Sequence, residues 1–240
     1  MIVRYDEGQP FGSFFGYVAD GLFQTTEDVK AANDNAAAKS KGTVPFYQTG
    51  GTAPGDIRFK DLNGDGTITA ADRTFIGNPN PKFTYGLNNT VTVLGFDLNV
   101  FLQGSQGNKI YNQNRYLLES PLYGNSSGST RVLDRWTGPG TSNDVPRAIA
   151  GDPNNNLRVS SYYVEDGSYL RIKTLTLGYT LPKAILDYVA GKQVRVYVSA
   201  QNLLTLTKYT GFDPEVGSRG VDLGVYPQPR VFLAGLNLGF

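Results

Sequence analysis

The sequence predicts an all-β, turn-rich fold. Three observations carry that expectation: five segments alternate apolar and polar residues, helical signals are confined to two short stretches, and Gly reaches 29 of 240 residues while charged residues make up only 18%. An average chain has about 7% Gly and about 25% charged residues, so both departures favour turns and pleated segments over amphipathic helices. A length of 240 residues accommodates one large domain or two small ones.

Taken in chain order, residues 1–82 read as a loop region ahead of the strands. Within it, Thr26 to Lys41 (TEDVKAANDNAAAKSK) combines Ala, Lys and Glu with diluting Asn and Asp, which suits a short surface helix or a loop. From Phe83 to Val93 the odd positions read Phe, Tyr, Leu, Asn, Val, Val and the even ones Thr, Gly, Asn, Thr, Thr, a two-faced strand with one exception at Asn89. After Leu94 and Gly95, residues 96–103 repeat the alternation with Phe96, Leu98, Val100 and Leu102 opposed to Asp97, Asn99, Phe101 and Gln103, so the two runs form a tight hairpin. Residues 169–180 place Leu175, Leu177 and Tyr179 on one face, and a strict count by parity puts Arg171 and Lys173 on that same face. Pro182 to Val189 is a second short helical candidate, with Pro at a permitted first-turn position. Residues 194–202 alternate Val194, Val196, Val198 and Ala200 with Arg195, Tyr197, Ser199 and Gln201. Residues 231–240 alternate Phe232, Ala234, Leu236, Leu238 and Phe240 with Val231, Leu233, Gly235, Asn237 and Gly239.

These segments have about the 9 to 11 residues a tilted strand needs to cross a bilayer, longer than the ~5 to 6 usual in soluble sheets. The connections at Leu94–Gly95 and Leu181–Gln193 are short, whereas those at Gly104–Ser168 and Thr205–Arg230 are long. Transmembrane barrels have this asymmetry between their two ends. The alternation itself leaves two architectures open. In a soluble sandwich the apolar faces pack on each other and the polar faces meet water; in a barrel the apolar faces meet lipid and Asp97, Asn99, Gln103, Arg195, Ser199, Gln201 and Asn237 line the lumen.

Composition removes several chemistries. Without His there is no imidazole base and no zinc site of the usual kind, and without Cys there is no thiol nucleophile, iron–sulfur cluster or disulfide. A net charge of +1 gives no electrostatic footprint for nucleic acid. No window approaches the ~18 apolar residues of a transmembrane helix. The first fifteen residues, MIVRYDEGQPFGSFF, lack the cationic, apolar and small-residue regions of a signal peptide.

The sharpest local motif is Asp61-Leu-Asn-Gly-Asp-Gly-Thr-Ile-Thr-Ala-Ala-Asp72. It follows the calcium-loop pattern, with oxygen ligands from Asp61, Asn63 and Asp65, the carbonyl of Thr67, an acid at Asp72, and Gly66 for the sharp turn. Asp replaces the usual bidentate Glu at the last position, and no helix is evident before Asp61. An Asx-rich turn without metal is the competing reading; a calcium ion here would be structural. Trp136 is either a ligand-stacking aromatic or a residue packing its long loop. Asp213 and Glu215 offer two nearby acids, which suit a glycosidase only across a sugar site and otherwise a salt bridge or turn.

Several of these stretches together resemble the C-terminal part of the SusC/RagA family of TonB-dependent outer-membrane transporters. They are Gly16-Tyr-Val-Ala-Asp-Gly-Leu-Phe-Gln24, Pro54-Gly-Asp-Ile57 leading into the acidic loop, Ile76-Gly-Asn-Pro-Asn-Pro81, Phe101-Leu-Gln-Gly-Ser105, Val164-Glu-Asp-Gly-Ser-Tyr-Leu-Arg171, Leu177-Gly-Tyr-Thr-Leu-Pro182, Gln201-Asn-Leu-Leu204, Gly211-Phe-Asp-Pro-Glu215 and Gly235-Leu-Asn-Leu-Gly-Phe240. The resemblance implies the C-terminal strands of an antiparallel transmembrane β-barrel of about 22 strands, here incomplete, with long extracellular loops. It implies a non-enzymatic importer of glycans or peptides in the outer membrane, working with a SusD-like lipoprotein and, through an N-terminal plug, with the TonB complex. The alternating last strand looks like the outer-membrane assembly signal, carried by Phe232, Leu236, Leu238 and Phe240. Five strands cannot close a barrel, so the chain is expected to be a fragment. The alternative from another class is a secreted, calcium-stabilised β-sandwich that binds carbohydrate or protein.

Overall fold

The structure, a computed structural model, describes residues 1–124, 128–186, 192–217 and 219–239. Its strands in chain order are β1 (Phe14–Gly16), β2 (Ala19–Leu22), β3 (Ile57–Phe59), β4 (Thr74–Gly77), β5 (Phe83–Val93), β6 (Phe96–Gln106), β7 (Lys109–Asn112), β8 (Val164–Asp166), β9 (Tyr169–Thr180), β10 (Gln193–Thr207), β11 (Val221–Asp222) and β12 (Val231–Gly239). Its α-helices are α1 (Thr26–Lys39), α2 (Gln113–Glu119) and α3 (Lys183–Leu186). The rest of the expected 182–189 helix and Phe240 lie outside the described residues.

The chain forms two compact units. One comprises Met1–Asn80, Ile110–Glu165 and Gly217–Gly224, the other Pro81–Lys109, Asp166–Val216 and Val225–Phe240. The linear division expected after residue 82 is therefore not followed, because the long connection after β6 and a piece of the one after β10 belong with the N-terminal stretch.

The first unit is short strands around small apolar clusters, stabilised by buried polar groups. Leu22, Ile57, Phe59 and Ile68 form one cluster, with Trp136 and Tyr47 against it; Phe14, Tyr111 and Tyr163 form another. The helical expectation at residue 26 is met by α1, where Thr25 accepts from the Asp28 amide and Asp28 accepts from the Thr25 amide, a reciprocal capping box. The helix stops at Lys39 because Lys41 and Gly42 adopt positive φ. Loop backbone without a ladder needs side-chain partners, and buried Asn154 and Asn156 supply them, binding the Ile57 carbonyl and amide at 3.0 and 2.8 Å. Asp56, also buried, receives both arms of the Arg147 guanidinium at 2.9 and 3.0 Å.

The second unit is built on one antiparallel sheet of order β12-β10-β9-β6-β5. The β5–β6 hairpin closes through Leu94 and Gly95, both at positive φ, the two-residue geometry whose twist matches paired strands. β6 and β10 run further than the alternation implied, to Gln106 and Thr207. Register puts Gln106, Phe83, Tyr169, Thr207 and Val231 toward one rim of the sheet, and Val93, Phe96, Thr180, Gln193 and Gly239 toward the other. The long connections leave the first rim and the short ones the second.

Candidate functional site

The chemistry of this chain lies in the two faces of its five-stranded sheet. Register aligns Leu236, Val196, Tyr179, Phe96 and Val93 in one row across all five strands. Ala234, Val198, Leu177, Leu98 and Val91 form the next, and Leu204, Ile172, Leu102 and Leu87 a further one. This apolar face is uncovered: Phe232 is 70% exposed, Val198 55% and Phe83 56%. A soluble sheet of this width would bury such rows against a second layer. No second sheet pairs face to face with it in this unit among the described residues.

The opposite face is polar and internally bonded. Asp97 on β6 and Arg195 on β10 meet over Gly178 of the intervening β9, with Nε to Oδ1 at 2.8 Å and Nη2 to Oδ2 at 2.5 Å. A Cβ at residue 178 would lie 2.6 Å from Arg195 Nε, so only Gly permits the pair to close. Asn99 donates to Asn88 and Thr90, each at 2.8 Å, and Thr176 and Ser199 share a 2.7 Å bond.

Near the first rim the polar face carries a buried cation. Arg171, 2% exposed, donates to Asp213 at 2.7 Å, Glu215 at 3.0 Å and Thr205 at 2.8 Å. Tyr169 donates to Glu215 at 2.9 Å, and Lys173 lies 3.7 Å from the same carboxylate. Burial disfavours the Asp213 charge, yet the amides of Gln228 and Glu215 and the Arg171 guanidinium more than offset it, holding the carboxyl below its usual range. Both acids of the 213–215 pair are thus committed to one guanidinium, not set across an open sugar-sized gap, which corrects the glycosidase alternative.

Placement of Arg171 corrects the parity count as well. Thr174 pairs with Phe101 and Gln201, but Ile172 pairs with Leu102 and Leu204, so Lys173 is an extra residue opposite β6. The irregularity reverses the facing of the N-terminal part of β9. Leu170 and Ile172 join the apolar rows, and Arg171 and Tyr169 turn to the polar face. The signal was present in the sequence, where apolar residues shift from even positions (170, 172) to odd ones (175, 177, 179). On β10 the matching break is Gln201-Asn-Leu-Leu204, with Asn202 at φ 50°.

The acidic loop of the first unit is folded by its own side chains. Asp61 accepts from the amides of Gly64 and Gly66 at 2.7 and 2.8 Å, Asn63 from that of Asp65 at 2.9 Å, and Asp65 from that of Thr67 at 2.8 Å. Hydrogen bonds from the Thr67 amide, Asn63 and the Thr67 hydroxyl hold the Asp65 carboxyl below its usual range. Asp72 is fully buried and accepts from Leu62 at 2.9 Å and Thr69 at 2.7 Å, capping the short 3-10 turn at Ala70–Asp72. Lys39 donates to the Gly64 carbonyl at 2.8 Å and lies 3.8 Å from Asp61. No group of three or more acids is drawn together as a metal cage among the described residues. Trp136 donates to Gln24 at 3.2 Å and packs over Gly55, against the Leu22 cluster, so it anchors its loop.

Phe232, Leu236 and Leu238 occupy the apolar face of β12. No helix among the described residues is long and apolar enough to cross a membrane, which says nothing of crossing by strands. The sheet thus presents one uncovered apolar face and one polar, cross-linked face among the described residues.

No protein-family profile matches the chain. Among curated proteins, TonB-dependent receptor P3 of Formosa agariphila is 38% identical over 245 residues, covering 98% of this chain and 22% of that protein. TonB-dependent receptor SusC of Bacteroides thetaiotaomicron is 32% identical over 189 residues, 78% of this chain and 18% of that protein. Among solved structures, the RagAB peptide transporter superposes with a TM-score of 0.70 at 26% identity, over 98% of this chain and 24% of that one. The 'closed-closed' state of the RagAB peptide importer gives 0.69 at 25% identity, covering 100% of this chain and 24% of that one. The chain belongs to the SusC/RagA family of TonB-dependent receptors, and it spans about a fifth to a quarter of the length of these relatives.

Proposed function

We propose that the chain is part of the β-barrel wall of an outer-membrane, TonB-dependent transporter, with the apolar rows against lipid and the Asp97, Arg195 and Arg171 face lining the lumen. The observation that carries this reading is the uncovered apolar face spanning all five strands. In lipid that face needs no second layer, and antiparallel pairing satisfies the backbone within the sheet. By kinship with SusC and the RagAB peptide transporter, the cargo is a glycan or a peptide, and the partners are a SusD-like lipoprotein and the TonB complex. Cargo would pass along the polar face, where fixed ion pairs and amides offer hydrogen bonds without free acid–base groups. In this reading the role is transport and not catalysis. The long connections of the first rim face outward, and the Phe232, Leu236 and Leu238 row, with Phe240, is read by the assembly machinery.

Neighbouring positions of β10 test the wall assignment. Because this chain contains no Cys, Ser199→Cys and Val198→Cys introduce a single thiol here. In intact outer membranes a small water-soluble maleimide is expected to label Ser199→Cys and to leave Val198→Cys unreacted until detergent is added. Equal aqueous labelling of both would overturn the reading.

Calcium at the 61–72 loop belongs to the same proposal. The donor types fit, since Asp61, Asn63 and Asp65 offer hard oxygens already turned by amide contacts and Thr67 adds a carbonyl, while Asp72 would have to exchange its bonds to the Leu62, Asn63 and Thr69 amides for the ion. Lys39 would compete for Asp61. Chelation is therefore expected to speed proteolysis within residues 61–72, and Asp65→Ala to remove the effect of added calcium; identical cleavage with and without calcium would exclude the ion.

A further inference from the structure

Asn63-Gly64 is the single Asn-Gly pair of the sequence, and it lies in the acidic loop with both residues exposed. The Asn63 carboxamide is folded forward along the chain: Oδ1 accepts from the Asp65 amide at 2.9 Å, and Nδ2 donates to Asp65 Oδ2 at 2.9 Å. A carboxamide bonded two residues ahead arches over the peptide in between, so Cγ of Asn63 is held beside the Gly64 nitrogen. That nitrogen donates to Asp61 Oδ1 at 2.7 Å, and the Gly66 amide fixes the other Asp61 oxygen at 2.8 Å. Gly64 has φ 79°, and a Cβ built there meets nothing within 4 Å, so a ring closing at this nitrogen has room. Asn154 and Asn156 are the opposite case. Both are fully buried, and their carboxamides are tied to Ile57, Asp56 and each other.

A carboxamide carbon, a backbone nitrogen and a carboxylate within hydrogen-bond reach of that nitrogen's proton are the parts of an intramolecular acyl transfer. We propose that Asn63 is a site of spontaneous deamidation, with the Gly64 nitrogen as nucleophile and Asp61 as the proton acceptor beside it. The nitrogen lone pair bonds to Asn63 Cγ, the Gly64 proton passes by way of Asp61 to the departing amino group, and the Cγ–Nδ2 bond breaks to release ammonia. One water then opens the cyclic imide. Attack at Cγ leaves aspartate, and attack at the backbone carbonyl leaves isoaspartate, in which the main chain runs through Cβ and Cγ. One water enters and one ammonia leaves, with no change of oxidation state. The product sets an oxygen where Nδ2 now donates to Asp65, so an attractive contact becomes one between two carboxylates. Isoaspartate also adds a methylene between Asp61 and Asp65. This inference goes beyond the transport and calcium readings and depends on neither.

The test uses the complete natural protein in detergent micelles, held at mildly alkaline pH in heavy-oxygen water with a chelator, so that no cation competes for Asn63 Oδ1. Peptide mass spectrometry reads heavy oxygen entering each asparagine, and enzymatic methylation reads isoaspartate. Asn63 is expected to gain the label before any other asparagine of the chain, with isoaspartate among the products, while Asn154 and Asn156 stay unlabelled. Gly64→Ala, which crowds the attacking nitrogen, should lose most of the labelling. Asp61→Asn keeps an acceptor for the Gly64 amide but takes up no proton, and should slow labelling by roughly tenfold or more. An Asn63 that remains intact in the folded protein while it is labelled in a urea-unfolded control overturns the proposal. Equal rates in Asp61→Asn and the natural protein overturn it too, because the lability would then belong to the dipeptide and not to the loop.

Discussion

Arg171 shows how one side chain decides what a loop can do. Its guanidinium is buried and divided among Asp213, Glu215 and Thr205, so it fixes the connection after β10 to the sheet. Removing one partner of a buried pair typically costs about 3–5 kcal/mol, because the remaining charges stay desolvated. Arg171→Ala is therefore expected to destabilise the protein by that order and to expose the 208–230 connection to protease. Glu215→Gln, which keeps the shape and leaves the Asp213 contact, should do so by less; equal loss in the two variants would contradict this assignment. The Asp213 carboxyl is held below its usual range, so its contribution is complete above its unfolded value of about 3.9 and is lost only as pH falls through the lower folded value. Protease release of this connection should then begin below about pH 4 and be absent at pH 5.5, with Asp213→Asn insensitive to pH across the window.

At the scale of the element, β9 combines a period-two strand with one irregularity, and the irregularity sets its facing. The five strands were legible in the sequence because apolar residues recur at alternate positions and the Leu94–Gly95 turn needs only two residues at positive φ. The extra residue at Lys173 was not legible from a single parity count, since a count assumes that the pairing never slips. The commitment of Asp213 and Glu215 was hidden for a different reason: their partner sits more than forty positions away in sequence, and spacing reports only local geometry. The acidic loop lay between these cases. Its turn was readable from Asp, Asn and Gly, but the tying of Asp72 to three backbone amides is tertiary. Deleting Lys173 should restore an unbroken alternation and keep Leu170 and Ile172 on the apolar face with Leu175, and Arg171 and Tyr169 on the polar one. Placing Arg against lipid costs about 2–4 kcal/mol near the bilayer midplane and less at the interface. The deletion and Lys173→Ala are therefore both expected to keep membrane insertion, measured as heat-modifiable mobility in electrophoresis, whereas Ile172→Arg should abolish it; normal insertion of Ile172→Arg would refute the register.

At the scale of the whole chain, what the sheet leaves unpaired governs its behaviour. Order β12-β10-β9-β6-β5 puts β12 and β5 at the ends, each with one ladder edge free among the described residues. Free edges pair with other chains, and in lipid each unsatisfied backbone group costs several kcal/mol. The uncovered apolar rows add a second drive to associate. Neither defect can be repaired within five strands, because closing a barrel requires at least eight. The first unit, by contrast, buries its clusters around Leu22 and Phe14 and satisfies Asp56, Asn154 and Asn156 internally. Expressed alone, the 240-residue chain is thus expected to gain β circular dichroism on refolding and yet to sediment as large aggregates at micromolar concentration in water. Detergent above its critical micelle concentration should disperse it by covering the rows of Val198 and Leu236. Substituting Lys at Val91 and Leu87 on β5 should reduce association in water through repulsion at that edge. A compact monomer seen by analytical ultracentrifugation without detergent would mean that the apolar face finds cover within the chain itself, and the sandwich architecture would then replace the barrel wall.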